Sequence, residues 1–172
     1  METTDTVVLI DGFGEPGCDW GPWRDRYLAR GLRVLTPGWP GIGAIAAHYE
    51  QIVEELDVPP VLMGHSLGGL VAQILLDGGH GAAGVAIDSS FVSEEADRAP
   101  LLLVGGGLDH LAPASLAAVA TKRYYRGGAI TEYKAFPAHT DAALGRDGWE
   151  SVADFALDWA LAHAAAPSPA AA

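Results

Sequence analysis

An apolar run from Pro60 to Met63 leads through Gly64, His65, Ser66, Leu67 and Gly68 into a stretch where Leu70, Val71, Ile74 and Leu75 recur at helical spacing. This is a G-x-S-x-G pattern with a further glycine, Gly69, behind it. A short buried strand before it and a helix after it place Ser66 on a tight strand-to-helix turn. Such a turn leaves little room for side chains at positions 64 and 68, and it lifts the serine hydroxyl above the edge of a sheet. The Leu67 N–H, at the start of the helix, would then face an oxygen that develops negative charge.

The rest of the chain alternates in the same way. Strands are expected at Val7 to Ile10, Leu32 to Leu35, Pro60 to Met63, Gly84 to Asp88, Pro100 to Gly105 and Ile130 to Ala135. Helices are expected from about Gly21 to Arg30, Ile42 to Leu56, after Ser66 to about Asp77, Pro113 to Arg126, and Trp149 to Ala164. Alternation of this kind predicts an α/β fold: about six parallel strands with helices on both faces. Right-handed crossovers put every strand's carboxyl end on one rim, where the ligand crevice of such sheets lies. The length suits one domain over residues 1–164, with an Ala/Pro tail over 165–172 that is expected to be disordered.

Composition excludes several function classes. The formal charge of -12, from 10 basic and 22 acidic residues, disfavours nucleic acid or an anionic membrane as partner. A single cysteine, Cys18, allows no internal disulfide and gives no metal-ligand cluster. The opening residues carry no positive n-region, and the apolar run at Val7 to Ile10 is too short to span a bilayer, so the cytoplasm is the expected compartment.

A serine hydroxyl needs a base to take its proton, usually an imidazole held by a carboxylate. Of six histidines, His48 lies within a helix, His65 inside the turn, and His80 and His163 at helix ends, while His110 adjoins Asp109. His139 stands on a loop after the last strand, from which it could reach the rim. For the carboxylate there are two candidates, Asp109 after the fifth strand and Asp88 at the end of the fourth, and either gives the chain order Ser, Asp, His. The glycines at 106 and 107 make a free-standing turn before Asp109, which favours it. The second oxyanion donor is expected in the loop after the first strand, at the Phe13 N–H.

These motifs together resemble the α/β-hydrolase fold serine esterases and lipases. The segment from Gly64 to Gly69 resembles their nucleophile elbow, that from Gly106 to Pro113 their acid loop, and that from Phe136 to His139 their histidine loop. The resemblance runs from about Thr6 to Ala164. It implies a compact, cap-less form of that fold, hydrolysing carboxylic esters of small or flexible substrates through an acyl-enzyme. Ser66 would be the nucleophile, His139 the base and Asp109 its partner, with the Phe13 and Leu67 N–H groups as oxyanion hole. Trp20, Trp39 and Phe91 are candidates to line the substrate pocket. No cofactor and no metal is implied, and the protein would be a monomer or homodimer.

Three departures from the family pattern stand out. Asp11 precedes Gly12 where the family usually has histidine, putting a carboxylate near the oxyanion site. Only Ser89 to Ala99 fills the position of the usual cap, and the first antiparallel hairpin is absent. Two alternatives remain at this stage: a thioesterase or lactonase on the same triad, or a catalytically inactive binding module.

Overall fold

The computed structural model describes residues 3–12, 19–90, 97–106, 129–136, 144 and 147–164. Six strands form one sheet: β1 (Thr6–Ile10), β2 (Arg33–Leu35), β3 (Val61–His65), β4 (Ala83–Ile87), β5 (Leu101–Gly106) and β6 (Thr131–Phe136). Their order is β2-β1-β3-β4-β5-β6, and every neighbouring pair is parallel. Four α-helices are described with them, α1 (Gly21–Ala29), α2 (Ile45–Glu54), α3 (Leu67–Asp77) and α4 (Trp149–Ala164).

Because side chains alternate along a strand, each β-strand feeds two cores. Val7, Leu9, Met63, Val85, Ile87, Leu102 and Val104 meet Trp23 and Tyr27 of α1 and Val152, Ala156 and Leu157 of α4. On the other face Val8, Ile10, Leu62, Ala86, Leu101 and Leu103 meet Tyr49 and Val53 of α2 and Val71, Leu75 and Leu76 of α3. Central strands buried on both sides read as unbroken apolar runs, and the sheet expected from the sequence forms.

Helix α1 is polar on average but carries Trp23 and Tyr27 one turn apart, both wholly buried. The Tyr27 hydroxyl donates to the Ala153 carbonyl at 2.9 Å. Outside, the Arg26 guanidinium holds Asp154 in a two-pronged pair, 2.7 Å on each arm. These contacts fix α1 against α4.

Boundaries differ from the sequence expectation in two informative places. Strand β3 runs on through Gly64 and His65, because Gly64 still pairs with Ile10 and Ala86 and His65 with Ile87. Helix α2 begins at Ile45 rather than Ile42; residues 42–44 form a 3-10 turn after Gly41, whose φ is 138°. The remaining strands shift by a residue at their ends.

The helix expected over 113–126 and the tail 165–172 lie outside the described residues. Residues 88–100 alone join β4 to β5, too short a link for a cap domain. No described helix is long and apolar enough to cross a membrane.

Candidate active site

Ser66 sits between β3 and α3 with φ 51° and ψ -118°, a conformation that L-residues rarely adopt and that costs on the order of 1–3 kcal/mol. The neighbouring hydrogen bonds hold it there. Its N–H extends the sheet by donating to the Ile87 carbonyl at 2.9 Å, while its own carbonyl accepts from Gly69 (3.0 Å) and Leu70 (3.3 Å) to start α3. One residue thus ends a strand and caps a helix.

Glycine is required on both sides of the turn. A Cβ on Gly64 would land on the Gly68 carbonyl, and one on Gly68 would land on the Ile10 carbonyl. No flexible side chain is involved, so the backbone itself would have to move. The close approach brings the end of β1 against the elbow and lets Ser66 rise at the carboxyl rim. Leu67 opens α3 there with 36% of its surface exposed. Its N–H belongs to the first turn, whose donors the helix cannot satisfy.

The loop after β1 reaches the serine. A Cβ built on Gly12 would lie 3.2 Å from the Ser66 Cβ and 3.1 Å from the His65 carbonyl oxygen. The pairing of β1 with β3 puts the loop in this place. Phe13 itself, with His139, Asp109 and Phe91, lies outside the described residues.

Asp11 precedes Gly12 and is half-buried. Burial pushes its carboxyl above the ordinary aspartate value, Asp19 pushes it further, and His65 pulls it back. Its backbone carbonyl accepts from the Trp39 indole at 3.2 Å, so Trp39 braces the first loop. Trp20 is 4% exposed and packs edge-on against Trp23 at 5.2 Å, within the core beside α1.

Asp88 follows β4 with φ 46°, and its N–H donates to the Val104 carbonyl at 2.9 Å. Its carboxylate lies 3.7 Å from His65 Nε2, with both side chains nearly buried. Burial and the Asp88 charge raise the Tyr133 hydroxyl above its usual pKa.

Gln73 was not singled out by sequence, yet it is fully buried and donates from one amide nitrogen to the Gly69 (3.1 Å) and Ser90 (2.9 Å) carbonyls. It fastens the start of the link after β4 to the elbow helix. A polar residue on the buried side of α3, two turns past Ser66, was the available signal. Among the described residues one group has the composition of a cation site: Glu50, Glu54 and His80.

Known proteins share this architecture. The crystal structure of Paleococcus ferrophilus monoacylglycerol lipase superposes with a TM-score of 0.71 at 17% identity, covering 94% of this chain and 96% of that one. Arabidopsis thaliana SOBER1 gives 0.68 at 16%, covering 93% and 99%. Thermogutta terrifontis esterase 2 phosphorylated by paraoxon gives 0.70 at 14%, covering 92% and 82%. At these identities the likeness is one of fold. No curated protein matches the chain in sequence. Residues 7–172 match the profile of the alpha/beta hydrolase family; with the strained serine between β3 and α3 and the parallel sheet beneath it, the chain belongs to that family.

Proposed function

We propose that the protein is a serine hydrolase that cleaves carboxylic esters of small or flexible substrates through an acyl-enzyme. The observation that carries this is Ser66 at φ 51° on the elbow, with the Gly12 loop against its Cβ. A residue held in a costly conformation at the mouth of a sheet marks a site where strain serves function.

In this reading Ser66 Oγ attacks the ester carbonyl while His139 takes its proton. Asp109 holds the imidazole, and the oxyanion is received by the N–H groups of Leu67 and Phe13. Collapse of the tetrahedral intermediate expels the alcohol, which recovers the proton from His139. Water, deprotonated by the same histidine, then releases the acid and restores the serine. No cofactor takes part.

Asp109 is favoured over Asp88 as the acid by the glycines at 106 and 107, which make a free-standing turn before it. The short link over residues 88–100 supports an open pocket, which selects weakly and suits small or flexible esters. That one relative carries a phosphoryl group from paraoxon suggests an organophosphate as active-site probe.

The test is hydrolysis of a short-chain p-nitrophenyl ester by wild type and Ser66→Ala. A triad nucleophile predicts a fall of up to about 10⁶-fold in kcat and loss of labelling by a fluorophosphonate. Equal rates and equal labelling in the two proteins overturn the proposal.

A further inference from the structure

Glu50 and Glu54 are one turn apart on α2 and so project from the same side of the helix. His80 follows α3, between Gly79 (φ 83°) and Gly81 (φ 92°), with its N–H donated to the Leu75 carbonyl at 2.9 Å. This turn sets its ring against α2: Nε2 is 3.0 Å from Glu50 Oε1. The three side chains each offer one ligand atom, all within 4.8 Å of one another. We propose that Glu50, Glu54 and His80 bind a divalent transition-series cation, such as Zn²⁺ or Co²⁺, that clips α2 to the turn between α3 and β4.

The chemistry of the donors selects the cation. Carboxylate oxygen and imidazole nitrogen bind zinc at about 2.0–2.2 Å, so neighbouring ligand atoms in a tetrahedral shell stand roughly 3.3 Å apart. The Glu50–His80 pair is already near that spacing, and glutamate arms at the surface can close the rest by rotation about their side-chain bonds. Imidazole favours Zn²⁺, Co²⁺ or Ni²⁺ over Mg²⁺ and Ca²⁺, which prefer all-oxygen shells. Two carboxylates and a neutral ring balance a double positive charge. Without it, Glu50 and Glu54 repel one another at the i, i+4 spacing.

The location separates this group from the ester chemistry. Ser66 caps the start of α3 and His80 lies past its end, with a helix of about 16 Å between them. A cation here would serve the fold, joining two elements on the same face of the sheet, and three protein ligands would leave room for water in its shell. The sequence reading implied no metal because the ligands come from two elements with no recognisable ligand spacing.

Metal-stripped protein titrated with ZnCl₂ in a calorimeter should bind one equivalent through this group, with the His80 ring resonances shifting in NMR spectra. Glu54→Gln keeps the Glu50–His80 contact and removes one ligand. It should weaken binding by more than the roughly 10–100-fold typical of losing an outer-shell partner, and His80→Gln should do the same. Unchanged affinity in Glu54→Gln, or no zinc uptake by the wild-type protein, overturns the proposal. If His80→Gln folds poorly, Glu54→Gln and the ring resonances decide.

Discussion

The Nε2 of His65 stands 3.7 Å from Oδ2 of Asp88, the two side chains being 3% and 7% exposed. One residue immediately precedes the nucleophile and the other immediately follows the adjacent strand, so the heel of the elbow meets the end of β4 here. The separation is longer than a direct hydrogen bond.

Under the proposed mechanism Asp88 has a structural task and Asp109 the catalytic one. Asp88→Asn preserves side-chain volume and tolerates the positive φ. It is expected to lower the unfolding free energy by no more than about 1 kcal/mol, because the amide keeps an acceptor oxygen where the carboxylate had one. Asp109→Asn is expected to lower kcat by about 10⁴-fold, because the imidazole is left in the wrong tautomer. Urea denaturation and ester hydrolysis on both variants check this; a larger rate loss in Asp88→Asn than in Asp109→Asn reverses the assignment.

The Gly12 loop gives a second prediction, about position rather than charge. A Cβ at residue 12 would meet the His65 carbonyl oxygen at 3.1 Å and the Ser66 Cβ at 3.2 Å. Such contacts are tight but not prohibitive, so Gly12→Ala should fold with the loop displaced by a few tenths of an ångström. Small misplacements of catalytic groups cost up to about 10²-fold. The expected outcome is a marked fall in kcat with little change in Tm. By contrast Gly68→Ala drives a Cβ into backbone and should cost more than the about 1–3 kcal/mol of ordinary overpacking.

Gln73 tests the link after β4. Replacing it with Leu keeps the bulk in α3 but leaves the Gly69 and Ser90 carbonyls without their shared donor. The expected loss is about 1–3 kcal/mol, read from chemical denaturation. A variant as stable as wild type would show that water or a neighbouring group replaces the amide.

What sequence could and could not foresee follows the range of the interaction. The strand-turn-helix around Ser66 was legible because it is local: an apolar run, three glycines and a helical stripe occupy residues 60–75. The end of β3 was misjudged because Gly64 resembles a turn residue, whereas pairing with Ile10 and Ala86 keeps it in the sheet. The core role of Trp23 and Tyr27 was hidden by their polar neighbours in α1. Links such as His65 to Asp88, Gln73 to Ser90 and His80 to Glu50 join stretches distant along the chain and left no local pattern.

Asp11 combines stability with chemistry, and its sign can be worked out. Burial, then Asp19, raises its carboxyl above the ordinary aspartate value of 3.8, with His65 opposing. Between 3.8 and the raised value the folded protein binds more protons than the unfolded chain, so stability falls as pH rises through that window. Above that window the loss is complete, and the half-buried carboxylate carries its charge near the loop that faces Ser66. Asp11→Asn removes that charge while keeping the side chain's size. It should be more stable than wild type at neutral pH, with the difference shrinking as pH is lowered through the raised value toward the ordinary one. It should also hydrolyse the ester faster, because a negative charge no longer opposes the developing oxyanion. Thermal unfolding across pH and kcat at neutral pH measure the two effects. A variant less stable than wild type at neutral pH, or slower in catalysis, would show that the Asp11 carboxylate organises the loop by accepting hydrogen bonds and that its charge is compensated there.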